Sequence, residues 1–170
     1  MNQTYEFCHA VTRKPAASIT EGLRAIDTGA PDLVRMQAAH NAYVATLRET
    51  GADVVELPPL PAYPDSVFVE DTALCLPQGA VLMRPGAASR AGEVAEMAPT
   101  LRRHYSEVRK INGPGTIEGG DILVTSKEIM VGLSDRTNQD GVDELARLVH
   151  DWGYRVRSIT VLNRPGFTGE

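Results

Sequence analysis

Two stretches of this 170-residue chain follow one plan about fifty residues apart. Val69-Glu70-Asp71 leads into a strand, a turn, a strand and Arg90, and Ile117-Glu118-Gly119-Gly120-Asp121 leads into the same succession and Arg136. A third copy opens with a helix from Gln139 to Trp152 and a strand from Tyr154 to Ile159. A repeat of this length is one supersecondary unit that cannot bury its apolar face alone, so the units must stack into one architecture. At 18.4 kDa the chain has the size of one domain. An α/β protein of repeated units over residues 1–170 is the expectation.

The elements read as follows. Tyr5 to Val11 is a strand, and Thr12 to Gly29 is a loop with a short helix. Leu33, Met36, Tyr43, Val44 and Leu47 recur at helical spacing between Pro31 and Thr50, with Gly51 just past the end. Asp53 to Leu57 is a strand, closed by the proline-rich stretch Pro58 to Pro64. Ser66 to Glu70, Thr72 to Leu76 and Ala80 to Met83 read as a strand and a hairpin, and Ala91 to His104 as a helix. The strands Glu107 to Ile111, Ile122 to Thr125 and Ile129 to Gly132 follow.

Charge and cysteine usage exclude several classes of function. Seventeen basic against twenty-two acidic residues give a net charge of −5, which offers no field for nucleic acid or an anionic membrane. Cys8 and Cys75 form no CxxC pair and no zinc-like cluster, so no metal is expected. Both stand in apolar, strand-like runs, the usual place of small buried core residues in a reducing compartment. With no apolar run of membrane-spanning length and no leader-like start, a cytoplasmic location is expected. His9, His40, His104 and His150 are scattered, and none adjoins a candidate site loop.

Each complete repeat places an acidic residue at a strand mouth and an arginine just past a hairpin. Stacked repeats would bring these loops together. Asp65, Glu70, Asp71 and Glu118 are then placed to grip a guanidinium or ammonium group, and Arg90 or Arg136 to take a carboxylate in a two-pronged contact. The ligand that matches is an amino acid with a basic side chain. The plainer reading stands beside it: acidic loop ends are commonly solvated or cap helices, and arginines beside turns commonly make surface ion pairs. Glu118 lies among glycines that let a ligand approach the backbone, or that serve a tight turn.

The segments DSVFVED (Asp65 to Asp71), RPGAASRAGE (Arg84 to Glu93), PGTIEGGDIL (Pro114 to Leu123) and VGLSDRTNQDG (Val131 to Gly141) together resemble the dimethylarginine dimethylaminohydrolase family, in the guanidino-group-modifying superfamily that includes arginine deiminase. HNAYVATL and the Glu21 to Leu23 segment fit as well. The resemblance implies a pentein-type α/β propeller of five ββαβ units, of which this chain would hold two to three. It implies hydrolysis of methylated arginine to citrulline and a methylamine, by a cysteine nucleophile and a histidine acid/base, with no cofactor or metal.

By motif, Asp71 and Glu118 hold the guanidinium and orient the histidine. Leu23, Asp65 and Glu70 complete the cavity, and Arg90 and Arg136 bind the α-carboxylate. The tail 161–170 departs from the family pattern: Val161-Leu162-Asn163-Arg164 stands where the family has a histidine-bearing motif. The cysteine would lie further on, so the expectation is a truncated chain, inactive alone, whose open edge a second copy would cover. The alternative is a non-catalytic arginine- or methylarginine-binding or oligomerisation module.

Overall fold

The computed structural model describes residues 7–24, 26 and 29–160. Its strands are β1 (His9–Arg13), β2 (Asp53–Leu57), β3 (Ala73–Leu76), β4 (Gly79–Leu82), β5 (Val108–Lys110), β6 (Ile122–Val124), β7 (Glu128–Leu133) and β8 (Arg155–Thr160). Its helices are α1 (Leu33–Glu49), α2 (Glu93–His104) and α3 (Gln139–Val149).

Three small sheets repeat one connection. β4 runs through α2 into β5, its parallel neighbour, and β7 runs through α3 into β8 in the same way. β1 does so through α1 into β2, with His9 opposite Asp53 and Arg13 opposite Leu57. In the second and third units a hairpin adds an antiparallel strand, giving the orders β3-β4-β5 and β6-β7-β8. Among the described residues the first sheet has only β1 and β2. The repeat in the sequence is therefore a repeat in space.

The cores lie at the seams between units. Leu74 and Leu76 of β3 and Val81 and Met83 face Ile129 and Val131 of β7, with Val142, Leu145 and Val149 of α3 between. Ala80 and Leu82, on the other face of β4, meet Met97, Ala98 and Leu101 of α2, and Val11 and Leu57 of the first unit pack against them. Period-two alternation along β3 and β4 thus feeds two different seams.

Local signals explain most boundaries. Asp32 caps α1 by accepting the Arg35 N–H at 3.1 Å, and Gly51 takes φ +87° just beyond the helix, where a side chain would be strained. Asn138 caps α3 in the same way through the Gly141 N–H at 3.0 Å.

Four expectations need correction. Ser66 to Glu70 is not a strand: the chain turns there and ends in a 3-10 turn, Val69–Thr72. The Asp65 carbonyl accepts from the Phe68 N–H, and the Asp65 and Phe68 carbonyls both accept from Arg90, so these acceptors serve the turn and the arginine and not a ladder. On α1 the buried stripe runs through His40 and Val44, while Tyr43 is exposed. Cys8 and Cys75 are exposed and not core residues, because alternation points Leu74 and Leu76 inward and Cys75 away from them. β1 begins at His9; Tyr5 and the tail 161–170 lie outside the described residues. No helix among the described residues is long and apolar enough to cross a membrane.

Candidate functional site

A cavity of about 230 Å³ opens where the three units meet, lined by Leu23, Asp65, Phe68, Asp71, Arg90 and Arg136. Leu23 comes from the β1–α1 connection, Asp65, Phe68 and Asp71 from the approach to β3, Arg90 from the β4–α2 turn and Arg136 from the β7–α3 turn.

Asp65 is buried, and its carboxylate accepts the Leu23 N–H at 3.0 and 3.2 Å. The chain approaches it closely enough that a Cβ on Gly22 would stand 2.7 Å from the Asp65 Oδ1, so a larger residue would have to push the carboxylate aside. Asp71 pairs with Arg90 through Oδ2, while its Oδ1 accepts the Gly120 N–H at 2.9 Å. That second bond joins the turn before β3 to the 3-10 turn Gly119–Asp121 before β6. A Cβ on Gly119 would overlap the Glu70 carbonyl, so glycine is what permits this contact as well.

The two arginines sit at equivalent places in their units but in opposite environments. Arg90 is 2% exposed and wrapped by acceptors: Glu93 on Nε at 3.1 Å and on Nη2 at 2.8 Å, Phe68 O at 2.9 Å, Asp65 O at 3.2 Å, and Asp71 on Nη1. Burial works against its charge, yet the bonds to Glu93 and Asp71 outweigh burial and hold its pKa above the ordinary value. The Arg136 side chain is 54% exposed, and its one ion pair runs from Nε to Glu118 Oε2 at 3.3 Å. Among the described residues its Nη nitrogens donate no hydrogen bond.

Glu118 stands behind Arg136, 1% exposed. Its N–H donates to the Thr137 hydroxyl at 3.1 Å, and its Oε1 has no hydrogen-bond partner among the described residues. Burial raises its pKa from the usual 4.5, with Arg136 the main opposing influence. An ionised carboxylate oxygen held dry without a donor is costly, and a donor brought to it would be bound strongly.

The cavity therefore gathers Leu23, Asp65, Asp71, Arg90 and Arg136 of the expected residues, with Glu118 one side chain behind. Glu70 lies elsewhere. It borders a second cavity of about 540 Å³ with His9, Cys75, His104 and Tyr105, and burial raises its pKa too. His9 and His104 border this same cavity, their rings 5.6 Å apart. Phe68, 45% exposed on the cavity wall, was missed; read as part of a strand, it gave no signal of its own. No group of three or more His, Cys, Asp or Glu among the described residues converges as metal ligands do.

Stacked strand-helix-strand units with acidic turns and arginines gathered at one end define an α/β fold of pentein type. A sequence model of the family described as arginine deiminase matches residues 57–165. The chain is 39% identical over 148 residues to N(G),N(G)-dimethylarginine dimethylaminohydrolase of Pseudomonas aeruginosa, covering 86% of this chain and 58% of that protein. It is 35% identical over 153 residues to the enzyme of the same name from Streptomyces coelicolor, covering 89% of this chain and 59% of that protein. A solved structure of the Pseudomonas aeruginosa protein with citrulline superposes with a TM-score of 0.90 at 35% identity, over 94% of this chain and 63% of that one. The N-terminal domain of a cyanobacterial arginine dihydrolase shares the fold at 19% identity, with a TM-score of 0.79. The chain belongs to the dimethylarginine dimethylaminohydrolase and arginine deiminase family, and it spans about three fifths of the length of these dimethylarginine hydrolase relatives.

Proposed function

We propose that this chain holds a guanidino amino acid, methylated arginine above all, in the cavity where its three units meet. One observation carries the reading: the carboxylates of Asp65 and Asp71 and the half-exposed guanidinium of Arg136 surround one small cavity, with the unpartnered Glu118 oxygen just behind. A ligand with a cation at one end and a carboxylate at the other satisfies both signs at once. The carboxylates keep lone pairs for a guanidinium although Leu23, Gly120 and Arg90 already donate to them. The Nη nitrogens of Arg136 are placed for a two-pronged grip on an α-carboxylate.

Hydrolysis would need a thiolate to attack the guanidinium carbon and an acid to protonate the departing amine. Neither a cysteine nor a histidine is among the residues lining this cavity, and Cys75 and His104 border the other one. This chain alone therefore binds without turning over, and the dimethylarginine hydrolysis of its family requires those two groups to be brought to the cavity. A second copy packing on the two-stranded β1–β2 sheet belongs to the same reading. A strictly monomeric mass at high micromolar concentration sinks that part of it.

Calorimetric titration with asymmetric dimethylarginine, arginine and citrulline tests the proposal. Saturable binding that weakens roughly ten- to a hundredfold in Arg136→Ala supports it. Absence of binding at millimolar ligand refutes it.

A further inference from the structure

The β7–α3 turn carries one side chain whose bonds have no role in the site as described so far. Ser134 donates its hydroxyl to Asp121 Oδ2 at 2.8 Å, and its oxygen accepts the N–H groups of Arg136 and Thr137, each at 3.1 Å. One donor and two acceptor positions are all a serine hydroxyl has, and here all are used, at an exposed position outside both cores. The Ser134 N–H closes the turn on the Thr137 carbonyl at 3.0 Å.

The turn holds both members of the Arg136–Glu118 pair. Thr137, 1% exposed, receives the Glu118 N–H, so the turn is tied to the backbone of the carboxylate. On the other side the chain is pressed against Gly86, where a Cβ would stand 2.7 Å from the Arg136 Cα. Arg90 is fixed by a shell of its own side-chain bonds. Arg136 has a single side-chain anchor, so its place over the cavity is set by its backbone.

We infer that Ser134, anchored on Asp121, is a positioning residue that fixes the turn presenting Arg136 to the ligand carboxylate and to Glu118. It touches no ligand itself. The inference builds on the proposed guanidino amino-acid site, but one half of its test is independent of any ligand.

That half is the titration of the Glu118 carboxyl carbon followed by NMR in the wild type, Ser134→Ala and Ser134→Thr. Arg136 pulls the Glu118 midpoint down, while burial, Asp71 and Asp121 push it up and Arg90 pulls it down from further away. Loosening the turn weakens the pull of Arg136 and frees Asp121 from its Ser134 bond, while burial, Asp71 and Arg90 stay in place. The midpoint should rise in Ser134→Ala and return in Ser134→Thr, and the Arg136 amide should exchange faster in the alanine variant alone. An unchanged midpoint and exchange rate in Ser134→Ala overturn the inference.

The other half compares arginine with agmatine, which has the same guanidinium but no carboxylate. Ser134→Ala should weaken arginine about three- to tenfold, the worth of one or two hydrogen bonds, and leave agmatine unchanged. Equal weakening of both ligands means a general structural role and refutes the inference. If the wild type binds neither, the proposed function fails, and the Glu118 titration still decides the role of Ser134.

Discussion

Arg90 and Arg136 show how far two residues at one place in a repeat can diverge. Replacing Arg90 leaves the carboxylates of Glu93, 2% exposed, and Asp71 without their cation. Arg90→Ala should cost about 3–5 kcal/mol of stability, the usual result of breaking a buried ion pair, and chemical denaturation would show it. Arg136→Ala should cost less stability than Arg90→Ala, since its side chain is half in water, but it leaves the buried Glu118 without its ion-pair partner and should lower the denaturation midpoint at neutral pH. It should weaken a carboxylate-bearing ligand by about 1.5–3 kcal/mol, roughly ten- to a hundredfold in the dissociation constant. Equal loss of stability in both variants would show that the two arginines share one duty.

Glu118 gives a pH dependence with a definite sign. Its folded pKa is raised by burial, so protonation favours the folded state, and the ionised form is the one that costs stability at neutral pH. A guanidinium prefers the ionised form. Affinity for a cationic ligand should therefore fall as the pH drops through the Glu118 pKa, which burial raises above the ordinary 4.5. Glu118→Gln should flatten that fall, and titrations at a series of pH values would check both curves.

At the scale of elements, the glycine turns decide whether the site forms. Gly119 and Gly120 bring the turn before β6 onto Glu70 and Asp71. Gly119→Ala must push those backbones apart, so it should abolish ligand binding while helix content by circular dichroism stays within a few per cent of wild type. Binding retained at wild-type strength would mean that the two turns need not touch.

The sequence made these turns visible as composition, an acidic residue among glycines, but not as contacts. Helices α1, α2 and α3 were legible within a few residues, and at α1 and α3 a side-chain cap and a following glycine agree with the ends. The Ser66 to Glu70 stretch was misread because its alternating apolar residues look like a strand, and only the distant Arg90 reveals where its carbonyls are bound. Phe68 and Glu70 suffered together: once the stretch turns, Phe68 faces the cavity and Glu70 faces away. Of the site, the residue types and their repeat were legible. The division between braced Arg90 and open Arg136 was not, because burial is decided by Glu93 and by backbone from another turn.

For the whole molecule, stability is divided between two seams of unequal size. Leu145, fully buried between the second and third units, sits in the larger apolar cluster. Leu145→Ala should lower stability by about 2–5 kcal/mol, read from urea denaturation with an unchanged slope. Because the same seam carries Asp71, Gly120, Glu118 and Arg136, that variant should also weaken the ligand, although Leu145 is not a cavity residue. A destabilised variant with wild-type affinity would show that the site does not depend on this seam.

No single repeat contains the recognition surface. The first unit supplies Leu23, the second Asp65, Asp71 and Arg90, and the third Arg136 with Glu118 behind it. Chain scission in the loop between Ile111 and Ile117 would leave Asp65, Asp71 and Arg90 on one piece and Glu118 and Arg136 on the other, so neither would hold the whole site by itself. Mixed together, the pieces would regain recognition only by meeting along their apolar faces, so ligand affinity would rise with the concentration of each fragment. On the proposed function, selectivity belongs to the joint between repeats, and the ligand is a rivet across it.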